Sequence, residues 1–364
     1  MRSRLLVLWL TGLLLTAGLL GCEPAEQERA NTVEILSQGL DADDQNFAAV
    51  VPGKTWQFPQ DHLSHPSFKT EWWYLTANLT SPEGKTFGVQ WTLFRFAGRN
   101  TAEAGWHSPQ MYMAHVAVTG EKQLWHAERF ARGGIGQAGV AGNPFRAWLD
   151  NWSWRSEDSN PFPGTLSFAD EHMVATLQVQ NQGALIFQGE NGYSRKHVSQ
   201  EIASYYYSAP FLHLEGTLVL DGLPYQVSGP GWLDREWSSE GLAQSQLGWD
   251  WFSLHLDDGS ALMLYQIREA DSVPYYFGSR SWPDGRVVTL SADEIRMIPI
   301  ANARHEGKLY PVQWQIAVPS QQIQVKVDVV RKEQWLPFMF SYWEGPVRVS
   351  GSHTGQGFME LTGY

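Results

Sequence analysis

Only one cysteine, Cys22, occurs in the 364 residues, so no disulfide can close within the chain and no thiolate metal cluster can form. Other metal motifs are missing too. There is no His-x-His, no HExxH and no Asp-rich calcium loop, and no metal ligands are assigned. No Gly-x-Ser-x-Gly elbow appears, which counts against a serine hydrolase of that class. The glycine-rich stretch Arg132–Gly136 precedes no helical pattern and is not a phosphate cradle. Positive charge is scarce: 26 Lys and Arg against 38 Asp and Glu leave a net charge of −12. That balance argues against nucleic acid or anionic lipid headgroups as partners. Helix-period segments are nearly absent beyond the first, apolar stretch.

That first stretch begins with Arg2 and Arg4 and runs apolar from Leu5 to Leu20, about 16 residues against the roughly 20 needed to span a bilayer. Charge, apolar core and small residues in this order make a secretory signal, excluded from the fold. Leu19-Leu20-Gly21-Cys22 resembles the lipobox cut by lipoprotein signal peptidase. The resemblance implies a signal over residues 1–21 and a diacylglycerol on Cys22 as the membrane anchor. Glu23 stands where an Asp would hold a lipoprotein at the inner membrane, so the periplasmic face of the outer membrane is expected in a cell with two membranes. Residues 22–50 are polar and acidic with few aromatics, and read as a lipidated flexible tether.

The chain is rich in tryptophan, with 18. Indoles bury large apolar areas, so they belong in cores or around an apolar ligand. Period-two alternation dominates the rest. Glu71–Leu79 puts Trp73, Leu75, Ala77 and Leu79 on one face, and Ser81–Gly84 turns the chain into Phe87–Arg95. Met111–Thr119, Met173–Gln180, His213–Leu220, Trp249–Leu256, Ala261–Arg268, Pro311–Val318 and Ile323–Val329 alternate likewise. Asp221-Gly222, Asp257-Asp258-Gly259 and Pro283-Asp284-Gly285 mark turns between them. Many short strands with regular turns predict an all-β barrel or sandwich. Trp72–Leu79 with its following turn and strand is similar to Trp249–Leu256 with its own, which fits two β-domains joined near Gly229–Gly241.

The densest polar and aromatic segment is Gly229–Trp237. Asp234 and Glu236 share one strand face and Arg235 takes the other. A carboxyl beside indoles is desolvated, keeps its proton to higher pH and can donate it to a substrate. The same residues equally make an Asp–Arg–Glu network tying two domains together, the commoner arrangement. His115 and His255 each sit on alternating strands, where a hydrogen-bonded core histidine is more usual than a catalyst.

Glu71–Thr76, Ala127–Gly133, Tyr205–Ser208, Gly231–Trp237 and Glu360–Tyr364 together resemble the AttH/CrtC family from about residue 51 onward. The resemblance implies two lipocalin-like antiparallel β-barrel domains side by side, an AttH/CrtC-like one over 51–240 and a lipocalin-like one over 241–364. The family holds carotenoid 1,2-hydratases (hydroxyneurosporene synthases), so-called secreted hydrolases, and lipoproteins encoded beside ABC transporters. It implies no cofactor, an apolar lipid or isoprenoid-like ligand, and an ABC transporter as a partner. In the hydratases an aspartic acid protonates an isoprenoid double bond and aromatic rings stabilise the cation. Of the hydratase pattern Tyr-x-Asp, with His-x-Trp upstream, this chain keeps the aspartate: Trp232-x-Asp234 with Tyr205-x-Tyr207. Asp234, Tyr205, Tyr207 and Trp232 are therefore the expected catalytic group. Trp72, Trp73, Tyr74, Trp91, His115, Trp237, Trp249, Trp251, His255 and Tyr265 are expected around the ligand, and Arg235, Glu236 and Glu71 in a structural ion-pair network. The leading expectation is a ligand-binding lipoprotein, and the alternative is a cofactor-independent hydratase.

Overall fold

The alternating segments form strands, and the strands assemble into two antiparallel sheets. A computed structural model describes residues 47–100 and 104–364; the expected signal, Cys22 and the tether as far as residue 46 lie outside the described residues. Among the described residues the helical elements are four short 3-10 turns.

The first sheet has 13 strands, from Thr70–Thr80 to Leu223–Ser238, and its first strand pairs with its last. The two ends of this sheet, Leu124–Arg132 and Ala138–Gly142, meet through a single bridge from Gly133 to Ala138, so the sheet is a nearly closed barrel. The second sheet has 10 strands and repeats the scheme, with Gln246–Leu256 paired to Gly355–Leu361. The two segments that are similar in sequence are thus the opening strands of the two sheets.

Alternation decides what each face meets. Trp73, Leu75, Ala77 and Leu79 enter the core of the N-terminal barrel with Trp91, Trp152 and Trp154. Phe252, Leu254 and Leu256 enter the second core around Trp314 and Trp343. The opposite faces of the same strands, with Tyr74, Trp232 and Trp251, form a third cluster between the sheets. Each barrel is therefore filled by its own side chains, and the outward aromatics of one meet those of the other. Asn78 Nδ2 donates to Gly357 O across this seam at 3.1 Å.

Two glycine positions carry the geometry. Asp221 and Gly222, with φ of 48° and 79°, turn the long hairpin of Ala203–Leu220 and Leu223–Ser238; two positive φ values are what a type I′ turn needs. At Gly357 a Cβ would stand 1.9 Å from Ser253 O, on the strand that closes the second sheet. Gly357→Ala must push these backbones apart. It is expected to lower stability by about 2–3 kcal/mol, the cost of overpacking, read as a shifted urea midpoint with unchanged slope.

Candidate functional site

The hairpin that carries Asp234 also supplies its partners. Ser208 lies directly opposite Asp234, and Tyr206 opposite Glu236. Asp234 is 3% exposed. Its Oδ1 accepts from Ser208 Oγ at 2.5 Å and from Trp232 Nε1 at 2.7 Å; its Oδ2 accepts from Tyr206 Oη at 2.5 Å. The donors are themselves oriented. Trp251 Nε1 donates to Tyr206 Oη at 3.3 Å, Gln188 Nε2 to Ser208 Oγ at 2.9 Å, and Ser279 Oγ to Gln188 Oε1 at 2.7 Å. Indole and amide N–H groups cannot accept, so every proton in these chains points towards Asp234. Burial pushes the Asp234 carboxyl up to about 7, while Ser208, Tyr206 and Trp232 pull the other way. The group is thus poised to exchange a proton near neutral pH.

Asp234 stands on the wall of a cavity of about 210 Å³ between the two sheets. Trp72, Tyr74, Phe94, Phe96, Tyr206, Trp249, Trp251 and Tyr265 make its walls largely aromatic. Lys69, Glu240 and Gly241 also line it, the last two exposed beside Ser238, where the first sheet ends. Three further carboxyls reach the cavity: Glu236, Glu344 and Glu360. Glu236 is paired with Lys196 Nζ at 2.7 Å and accepts from Ser204 Oγ. Lys196 also lies over the Tyr206 and Tyr265 rings, at 5.0 and 4.8 Å. Glu344 and Glu360 are directly opposite on neighbouring strands. Tyr74 Oη donates to Glu344 Oε1 at 2.6 Å. Burial raises both carboxyls, Glu360 to about 8 and Glu344 well above the usual range; the charge of Glu360 adds to the rise at Glu344, and those of Asp234 and Glu236 to the rise at Glu360, which Trp249 opposes.

Of the residues expected at a site, the cavity brings together Asp234, Trp72, Tyr74, Trp249, Trp251 and Tyr265. Trp232 acts from behind, through its bond to Asp234. Tyr205 and Tyr207 do not reach the cavity. They point to the other face of the sheet, into a cluster with Trp237, Trp56 and Phe187. There Tyr205 Oη donates to Val51 O at 2.9 Å, and Tyr207 Oη meets His62 Nδ1 at 2.7 Å. Tyr206, between them, is the tyrosine on Asp234. Trp73 and Trp91 lie in the core of the N-terminal barrel, away from the cavity. His255 packs behind Trp232 and donates Nε2–H to Pro210 O at 2.6 Å. His115 is one step removed: its ring joins Glu128 Oε1, at 3.0 Å, to Tyr342 Oη, at 2.9 Å, and Tyr342 lines the cavity.

The ion-pair network also differs from expectation. Glu71 accepts from both Arg95 Nε and Arg235, the latter at 3.2 Å. Arg95 holds the place expected of Glu236, which faces the cavity instead. Arg235 is stacked 3.8 Å from the Trp73 ring and donates to Trp72 O and Leu63 O, each at 2.7 Å. All these partners precede residue 240, so the network braces one barrel and does not tie the two together. Among the described residues no group of three or more His, Cys, Asp or Glu is placed to hold a metal ion.

A family model described as AttH-like matches residues 49–364. Among solved structures, a putative AttH from Nitrosomonas europaea is 36% identical with a TM-score of 0.78, covering 87% of this chain and 100% of that one. Kievitone hydratase from Nectria haematococca is 13% identical with a TM-score of 0.63, covering 88% and 97%. CghA, 12% identical, has a TM-score of 0.53 over the same shares. These last two show a shared fold. Comparison with curated proteins gives no match.

Proposed function

The chain belongs to the AttH-like family, and from that premise we propose that its cavity takes an apolar, isoprenoid-like molecule and adds water to, or removes it from, a double bond without a cofactor. One observation carries this reading: a buried carboxyl, Asp234, held by three oriented donors on the wall of an aromatic cavity. Protonation of a trisubstituted alkene leaves a tertiary cation, and indole and phenol faces stabilise a cation where water cannot. Water then forms the carbon–oxygen bond and gives up a proton to a carboxylate, so the sum is alkene plus water to alcohol. Asp234 is the group through which that proton passes. Trp72, Trp249 and Trp251 supply the cation-facing rings.

The lipid anchor on Cys22, the outer-membrane location and an ABC transporter partner belong to the proposal as well, and rest on the sequence. An anchored catalyst would draw its substrate from the bilayer beside it.

Citronellol, a small monoterpenoid with one trisubstituted double bond, is a suitable probe. Incubation in water enriched in heavy oxygen should yield a labelled tertiary alcohol, detected by mass spectrometry. If citronellol binds tightly and is recovered unlabelled, the protein is a carrier and not a hydratase.

A further inference from the structure

Glu344 and Glu360 have no role in the reading above, yet their placement is specific. They are a directly opposed pair on Tyr342–Gly351 and Gly355–Leu361, and both line the cavity. Opposed residues in an antiparallel ladder have Cβ atoms about 4.5–5.5 Å apart, so the two carboxyls are neighbours. No Lys, Arg or His forms an ion pair with either one among the described residues, whereas Glu236 has Lys196. Glu344 is 3% exposed, and its Oε2 has no hydrogen-bond partner among the described residues. Glu344 is buried and Glu360 half-buried, and with no cation paired to either the two are not both ionised at rest; they hold at least one proton between them.

The contrast with Asp234 assigns the roles. Asp234 receives three donors whose own orientations are fixed, which is the setting of a carboxylate. Glu344 accepts from Tyr74 at Oε1, and its Oε2 is free to carry a proton. We infer that Glu344 and Glu360 form a proton-sharing pair that protonates a neutral alkene in the cavity, while Asp234 takes the proton from the attacking water. This rests on the hydration reading and divides its labour. The O–H bond of the pair breaks as the π electrons form the new C–H bond, and the resulting cation is captured by water. One proton of that water passes to Asp234, leaving the alcohol. The pair has then lost one proton and Asp234 has gained one, and both exchange with solvent before the next turnover.

Tyr342, on the cavity wall beside the pair, leads from it towards solvent. Tyr342 lies two residues before Glu344 on the same strand face, and His115 joins its hydroxyl to Glu128. Where His115 donates from Nε2 to Glu128, its Nδ1 accepts from Tyr342. Gln90 Nε2 donates to the same hydroxyl at 2.9 Å, which fixes its proton towards His115. Glu128 carries the chain to a partly exposed side chain, 18% accessible. Burial lowers the His115 ring, with Glu128 opposing.

The test is infrared difference spectroscopy of the full chain across neutral pH, paired with citronellol turnover. A carboxylic-acid C=O band should persist just above neutral pH. It should weaken in both Glu344→Gln and Glu360→Gln, and survive Asp234→Asn. Glutamine matches the shape of a protonated glutamate, so both variants keep the fold. Each should turn citronellol over at least about a hundredfold more slowly, the usual worth of a positioned acid, and Glu344→Asp should recover part of the loss. A band that vanishes in Asp234→Asn and survives both glutamine changes overturns the assignment. So does wild-type turnover in both glutamine variants. A wild-type chain inert towards citronellol contradicts the hydration reading instead, and the band then still decides whether the two carboxyls share a proton.

Discussion

Asp234→Asn is expected to lower turnover of an isoprenoid alkene by about 10²–10⁴-fold, the range for loss of a general acid or base. Affinity for the same molecule should stay within a few-fold. The amide has the shape of the carboxyl and leaves the walls of Trp72, Trp249 and Trp251 intact. It cannot carry the proton. Its NH2 group also meets donors, because Ser208, Tyr206 and Trp232 all point at this side chain. Tyr206 can turn only by giving up its bond from Trp251, so one hydrogen bond is lost and stability falls by about 1–3 kcal/mol. The kinetic loss therefore has to be measured well below the melting temperature of the variant. Equal losses in binding and turnover would mean that the change has reshaped the cavity and not removed a proton carrier.

Glu71→Gln carries the largest expected effect on stability, about 3–5 kcal/mol. Glu71 is fully buried between Arg95 and Arg235, both about 1% exposed at their side chains. The glutamine keeps the volume and one acceptor but leaves two buried guanidinium groups without their counter-charge. Acid dependence gives an independent check. Burial alone would raise the Glu71 carboxyl; Arg95, His65 and Arg235 overcome this and hold it well below the usual range. Its folded value lies below its unfolded value, so its contribution is present at neutral pH. It is lost as pH falls through the ordinary carboxylate range towards the folded value. Wild type should lose urea resistance steeply on acidification, and Glu71→Gln should start lower and fall less. The Glu344–Glu360 pair acts with the opposite sign. Its folded values are raised, so its contribution is full below the ordinary carboxylate range and fades as pH rises towards about 8.

How far the sequence discloses this arrangement depends on the period-two rule. It places Trp73, Leu75, Ala77 and Leu79 on one face, and that face is the barrel core. It also separates Asp234 and Glu236 from Arg235, and those two faces meet different surroundings. What alternation does not disclose is which surface covers the outward face. Trp73 and Trp91 look as suitable for a ligand as Trp72 and Trp251, although two are core and two line the cavity. A pairing of distant strands makes that difference, and no local pattern records it.

The displaced tyrosine has a more specific cause. Counting back from the Asp221-Gly222 turn pairs Leu220 with Leu223 and Thr217 with Gln226. Continued without interruption, the count would set Tyr207 opposite Glu236 and Ala209 opposite Asp234. A bulge between Ala209 and Leu212 shifts the register by one and brings Tyr206 and Ser208 round instead. Pro210 within it, which has no N–H to give to a ladder, was the available signal. One bulge thus exchanges the whole set of side chains on the cavity wall. Glu344 and Glu360 leave a fainter trace, as single acids in otherwise apolar strands. Their meaning comes from lying opposite each other.

Where the ligand sits is the point on which the account turns. A diazirine-bearing isoprenoid, photolysed on the protein and followed by peptide mapping, reports that place directly. Labels on the Trp72–Tyr74, Tyr206 and Trp249–Trp251 segments, suppressed by excess citronellol, are the predicted result. Labels confined to the barrel interiors, on Trp91 and Trp154 or on Trp314, would contradict it.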